Sequence, residues 1–464
     1  MSITQRDPSL SKMLRLMAVC AIVGGFAGNR SSADEIPERT VRAYMEFLAS
    51  DALDGRGSGT RDEWITATYL ASQMHAYGLE PMGDDGGFVQ TVGVRRSEVV
   101  GAPVLTVGTK RYAHGAQMIV LDLDATNVDG ALQAYRPGVN VIPGAAYLMP
   151  EGANPGDADV MKSAGMILWQ ETPRLHALWD SLRSRQLTVG PTRLVGVPQP
   201  PVGPASPLQI LLNADSYREL HGLPENTRLQ FTAESRDTLS HTWNAVGRLP
   251  GSDPQQRDQV ILLTAHLDHL GEKGPGPDRI YNGADDDASG TIAVLTLAQA
   301  LAAGPRPKRS IVFALFGSEE VGSIGARYFL ARPTLPLESI TTNLEFEMVG
   351  RSDAAVAEHT LWLTGWERTN LGPELARHGA RLVADPHPNE HFFTRSDNFT
   401  LARRGIVAQT ISSYGLHAQY HQPSDDISHI DFQHMTGSIN SMLLPIRWLA
   451  NSGFMPAWLP GGRP

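Results

Sequence analysis

The sequence predicts an α/β protein: a mixed, mostly parallel sheet flanked by helices, with a small β-rich domain inserted into it. Three observations predict it. Beyond Trp243, short apolar runs alternate with stretches of helical periodicity, the pattern of strands joined by helices. The runs at 260–265 and 310–316 are apolar almost without interruption, so both faces of their sheet are expected to be covered. Between 101 and 234 the texture differs: Pro and Gly punctuate short apolar runs separated by long connections.

Residues 1–33 read as an export signal rather than as part of the fold. Arg6, Lys12 and Arg15 precede a short apolar run at 16–27, and Ser31-Ser32-Ala33 offers a small-residue cleavage site before Asp34-Glu35. The run is too short for a membrane span, so no stable membrane insertion is expected after its removal. The expected location is secreted or periplasmic. A lipoprotein anchor through Cys20 is disfavoured by the bulky Val19 before it. Residues 34–100 form the first part of the main domain and look helical from 35 to 92. Val41, Tyr44, Met45 and Leu48, then Ile65, Tyr69, Leu70 and Met74, recur at steps of three and four, with a glycine-rich loop at 55–59 between them. Residues 101–238 are the insertion, with strands expected near 118–121, 165–168 and 208–212. Residues 239–455 carry the rest of the main domain. Strands are expected at 260–265, 310–316, 340–348 and 405–412, a helix at 289–303 before Gly304, and a closing helix at 434–450. Residues 456–464 are a tail.

Composition narrows the function. Hydrophobic residues make up 41% of the 464, enough for a sizeable core. The net charge of −10, with no basic block, argues against nucleic acid as a partner. A single cysteine excludes an intrachain disulfide and a thiolate metal cluster. Any metal must be held by His, Asp and Glu.

Four clusters of such residues fall at strand ends or in adjoining loops, where ligands bind in open α/β sheets. They are His266-Leu267-Asp268-His269, Asp285-Asp286-Asp287-Ala288-Ser289-Gly290, Ser318-Glu319-Glu320, and Tyr420-His421 with Gln422-Pro423-Ser424-Asp425. Taken singly, each has an ordinary reading: helix caps for the aspartates, a solvated pair for the glutamates, a structural imidazole for each histidine. Taken together, so many carboxylates converging on one crevice would repel without a cation. Two divalent ions would neutralise them, and His, Asp and Glu without Cys suit zinc at a catalytic site.

These motifs resemble the M28 family of metallopeptidases, the dizinc aminopeptidases of zinc exopeptidase-like fold. Leu48-Ala49-Ser50-Asp51 with Gly55-Arg56 and Gly59-Thr60 resembles the family's opening segment. The four clusters, extended to Ala265–Gly271, Asn282–Gly290, Ser318–Ser323 and Tyr420–Asp425, follow in the family's order. The insertion resembles a protease-associated (PA) domain. The resemblance implies two Zn(2+) per chain. His266 and Glu347 would bind one, Glu320 and His421 the other, and Asp286 would bridge them. In the family the peptide after that aspartate is often cis, here Asp286–Asp287. Asp268 would accept the free ring N–H of His266. Glu319 would be the general base on a water bridging the metals, and Tyr420 would hydrogen-bond the oxyanion.

The sequence departs from the family at Glu347, where aspartate is usual; Glu345, on the same strand face, is the fallback ligand. Asn398 stands where several relatives carry histidine, and Asp397 beside it is read as a support for the site. His269 is read as a hydrogen-bonding loop residue. The expected function is a zinc aminopeptidase acting on peptides with a free N-terminus. The alternatives are another amide hydrolase of this kind, of carboxypeptidase or glutaminyl cyclase type, and a non-catalytic receptor-like protein. Phe392, Phe393 and Tyr414 are candidate pocket-lining residues. Arg395, Arg403 and Arg404 lie near the same loops without forming a carboxylate clamp by sequence alone.

Overall fold

The computed structural model describes residues 35–138, 140–150, 153, 158–198, 205–274 and 276–464. The expected export segment 1–33 lies outside the described residues. Among those described, no helix is long and apolar enough to cross a membrane.

Helix α1 (Glu38–Leu48) buries Val41, Tyr44, Met45 and Leu48. Helix α2 (Arg61–Ala76) starts at Thr60, whose side chain caps the Glu63 N–H. The helical reading of 35–92 fails beyond Ala76. From Val89 burial alternates every second residue, and the chain enters β1 (Val89–Val107).

The inserted segment carries β2 (Met118–Asp122), β3 (Asn127–Ala134), β4 (Ala146–Leu148), β5 (Met166–Gln170) and β6 (Leu208–Leu212). The chain returns along β7 (Arg228–Leu249), which pairs antiparallel with β1 from Leu229/Val107 to Ala245/Val89. This two-stranded ribbon joins two separate cores. Leu229 and Phe231 pack with Met118, Leu168 and Ile210 in the insertion, while Ala245 and Leu249 pack in the main domain.

The main domain continues with β8 (Val260–His266), α3 (Gly290–Ala303), β9 (Ser310–Phe316), α4 (Ile324–Ala331), β10 (Ile340–Phe346), β11 (Leu361–Leu363), β12 (Leu382–Ala384), α5 (Asp397–Ala402), β13 (Ala408–Ser412) and α6 (Phe432–Asn451). The strand order is β12-β11-β13-β10-β8-β9-β7. Strands β9, β8, β10 and β13 run parallel, β7 runs against β9, and the parallel pair of β11 and β12 runs against β13. Both faces are covered. Ile261, Leu263 and Ala265 of β8 point into the core shared with α1, α3 and α6, and Val260 and Leu262 into the core shared with α4 and α5. This two-sided burial is why β8 shows no polar alternation.

The register places the carboxyl ends of β8, β9 and β10 side by side, with His266 opposite Phe316. The third strand stops at Phe346, short of the expected 348, because Met348 takes a left-handed backbone with φ 52°. Helix α3 begins after a wide turn over Ala284–Ser289. Gly290 at its start is required by space: a Cβ there would lie 2.1 Å from the Phe346 carbonyl oxygen.

Candidate metal centre

Strand β8 delivers His266 fully buried into the cleft, with Nε2 3.2 Å from Asp286 Oδ1. Its Nδ1 lies 3.2 Å from the Asp268 carbonyl oxygen and 3.6 Å from the Asp268 carboxylate. Nδ1 thus lies nearer the backbone carbonyl of Asp268 than the carboxylate expected to accept its N–H. That carboxylate instead accepts the Glu319 N–H at 2.9 Å and the Ser58 hydroxyl at 2.5 Å. It thus fixes the loop that presents Glu319.

The aspartate run divides its labour. Asp287 accepts the N–H groups of Gly290 and Met348, each at 3.0 Å, and so ties the start of α3 to the segment after β10. Asp285 accepts the Gly350 N–H at 2.8 Å and meets His417 Nε2 at 2.9 Å. Asp425 accepts the Asp285 and Asp286 N–H groups and pins the turn from the opposite loop. The Asp286–Asp287 peptide is cis. Asp286 alone of the three turns both carboxylate oxygens toward histidines.

Two groups of side chains share Asp286. His266, Asp286 and Glu347 bring ligand atoms within 4.8 Å of one another, and so do His269, Asp286 and Glu320. His421 joins the second group, with Nε2 3.1 Å from Asp286 and 3.3 Å from Glu320. His269 is the residue the sequence reading placed elsewhere. Its loop folds back after β8, where its N–H bonds the Arg56 carbonyl at 3.1 Å, and the ring re-enters the cleft. Nothing local in the sequence signals this return, because it depends on contact with the 55–57 segment.

The donor set fits a cation. His269 Nδ1 lies 2.8 Å from Glu320 Oε1, but not along a hydrogen-bond direction. Both His269 ring nitrogens, Glu320 Oε1 and Glu347 Oε2 are buried without a hydrogen-bond partner. Buried polar atoms without partners are costly; an ion in the first group would satisfy Glu347 Oε2, and one in the second would satisfy Glu320 Oε1 and one His269 ring nitrogen. Glu345 differs. Its carboxylate is held by the Ser396 hydroxyl, the Asn398 N–H and the Thr410 hydroxyl at 2.7–3.0 Å, so it anchors the 396–398 loop and lies outside both groups. Asp397 is buried close by.

The cleft beside these groups is walled by Met348, Trp362, Phe392 and Tyr414, with Arg395 and Tyr420 at its side. The Tyr420 ring stacks on His421 at 3.9 Å between centroids. Phe393 packs instead in the core with Phe399 and Trp458. Arg403 and Arg404 are absent from the lining, as is every described residue of the insertion.

Without cations the acids disturb one another. Burial, then repulsion from Asp397 and Glu347, holds the Glu319 carboxyl well above the usual range. Burial, reinforced by Asp286, pushes Glu347 up to about 7. Burial raises Asp397 to about 7 and, with Asp285, Asp425 to about 8. Unfolded carboxyls release these protons near pH ~4. Between that value and about 7 or 8 the folded chain binds more protons than the unfolded one, so its stability falls as pH rises. The metal-free protein is therefore expected to show a falling Tm from pH 5 to 8, a slope that added metal flattens. A metal-free Tm that rises across this window would contradict the arrangement.

Residues 244–443 match the sequence family described as Peptidase family M28. Leupeptin-inactivating enzyme 1 of Streptomyces exfoliatus is 32% identical over 110 residues, 23% of this chain and 23% of its own length. The chain thus spans about a quarter of that curated relative. Two solved structures share the fold. The aminopeptidase from Aneurinibacillus sp. strain AM-1 has a TM-score of 0.59 at 15% identity, covering 91% of this chain and 96% of its own. BSAP, a zinc aminopeptidase from Bacillus subtilis, has a TM-score of 0.55 at 16% identity, covering 90% and 97%. The segment that matches Peptidase family M28, 244–443, holds every member of the two acid–histidine groups that share Asp286 and so resembles that family in site as well as in sequence.

Proposed function

We propose that the chain is a zinc-dependent aminopeptidase that removes N-terminal residues from peptides. The observation that carries this reading is the pair of metal-capable groups sharing Asp286, with Glu319 lining the same cleft. His266, Asp286 and Glu347 would hold one ion; Asp286, Glu320 and His421, with His269, would hold the other. Two zinc ions bound there supply Lewis acidity to a water and to the scissile carbonyl. Glu319 takes the proton of the attacking water and returns it to the leaving amine. Tyr420 donates its hydroxyl to the carbonyl oxygen as charge develops. Glu319 and Glu347 would neighbour the substrate's N-terminal ammonium, and the apolar walls receive its side chain. Residues 1–33 are read as the signal that exports the protein, and the insertion as a PA-like module.

The test is a metal-controlled assay. Chelation should abolish hydrolysis of aminoacyl-arylamides, and zinc should restore it with two ions bound per chain. Fewer than two ions at saturation would sink the two-metal reading. Cleavage of N-blocked peptides alone would sink the aminopeptidase reading.

A further inference from the structure

Arg395 is the one guanidinium or ammonium group among the described residues lining the cleft, which otherwise presents Asp286, Glu319, Glu320 and Glu347. Once two divalent cations offset those four carboxylates, Arg395 is the charge that remains. Its position is built. The next residue, Ser396, bonds Glu345 at 3.0 Å, and the Asn398 N–H bonds it at 2.7 Å, so the loop is anchored on the strand that carries Glu347. The guanidinium carbon lies 4.9 Å from the Phe392 ring centroid and 6.0 Å from that of Tyr420. Nη2 stands 3.5 Å from the Tyr420 hydroxyl. The ring-face contacts orient the group while consuming few of its five N–H donors.

Its charge is not spent elsewhere. The nearest carboxylate, Glu390, is 3.8 Å away, and both side chains are about 40% exposed (39% and 44%). Such a pair yields readily to a better-placed carboxylate. Tyr420 stacks on His421, which meets Asp286 and Glu320, so the guanidinium stands one aromatic ring beyond the metal-capable cluster. A planar fork of N–H donors there matches a carboxylate bidentately.

Resting on the aminopeptidase reading, we infer that Arg395 is a specificity residue that binds a substrate carboxylate close to the scissile amide. Two parts of a substrate put a carboxylate there. One is the C-terminus of a dipeptide, about one residue length (~3.8 Å) past the bond. The other is the side chain of an N-terminal Asp or Glu. Longer neutral peptides offer neither.

The test uses the full zinc-loaded chain, as wild type, Arg395→Gln and Arg395→Lys. Four substrates form two isosteric pairs: Leu-Gly against Leu-Gly-amide, and Glu- against Gln-p-nitroanilide. The wild type should favour the acid member of at least one pair about tenfold in kcat/KM, mostly through KM. Arg395→Gln should erase that ratio, and Arg395→Lys should keep part of it. The pair that shows the effect identifies which carboxylate is bound. No acid preference in either pair, or equal losses on acid and neutral members in Arg395→Gln, overturns the inference while leaving the aminopeptidase reading intact. Absence of turnover on all four substrates overturns both.

Discussion

Glu319→Gln is expected to lower kcat by about 10²- to 10⁴-fold, the usual worth of a positioned general base. The side chain follows Ser318, whose left-handed backbone (φ 55°) turns the chain out of β9. Its own N–H is fixed on Asp268 at 2.9 Å. Glutamine keeps that backbone anchor and the volume but cannot accept the water's proton. Glu320 and Asp286 are untouched, so metal content should stay at the wild-type value. Steady-state kinetics and metal analysis on the same preparation separate the two effects. Turnover within tenfold of wild type would remove Glu319 from the base role, and loss of metal would make it a ligand instead.

Arg56→Met is expected to cost at least about 3 kcal/mol of stability, because it leaves several buried acceptors without a donor. The Arg56 side chain is buried, 1% exposed. Its guanidinium donates to the backbone carbonyls of Leu48, Leu267, Asn282 and Gly283. Burial lowers its pKa, and the field of Asp268 and Asp425 works against that loss. The four carbonyls belong to the end of α1, the loop after His266 and the turn before Asp286. The variant should therefore also bind zinc more weakly. Denaturant unfolding of the metal-free protein and zinc competition titrations would measure the two losses. Arg56→Lys keeps the charge but has three donors for four acceptors, so it should fall between. A stability change under 1 kcal/mol in Arg56→Met would show that water replaces the guanidinium without penalty.

Much of this site was legible along the chain because strand ends are local events. An apolar run that ends at His266, or one residue before Ser318-Glu319-Glu320, says where a side chain leaves the sheet, whatever it meets there. The helical reading of 35–92 went wrong where the apolar period changes from near four to two, between Ala76 and Val89. Regular spacing over 61–76 was carried past the point where it ceased. The insertion's short strands were visible, but the ribbon of β1 and β7 was not, since pairing between residues 89 and 245 leaves no local mark.

Parity along a strand could not separate Glu345 from Glu347, because both share one face. The tertiary structure separates them by supply of donors: Ser396, Asn398 and Thr410 occupy Glu345, and none of them leaves its place for Glu347 Oε2. The same holds for the aspartate run, whose members are alike in sequence and divided only by what reaches them. Asp425 and His417, some 130 to 140 positions away, commit the turn and leave Asp286 to the cleft. His269 reaches the cleft through a backbone contact with Arg56. By itself the sequence determined the sheet, its coverage on both sides and which acids and histidines stand at its edge, because those follow from period and order. Which of these side chains remain free to hold a cation was decided only by the folded structure, since freedom depends on hydrogen bonds supplied from distant segments.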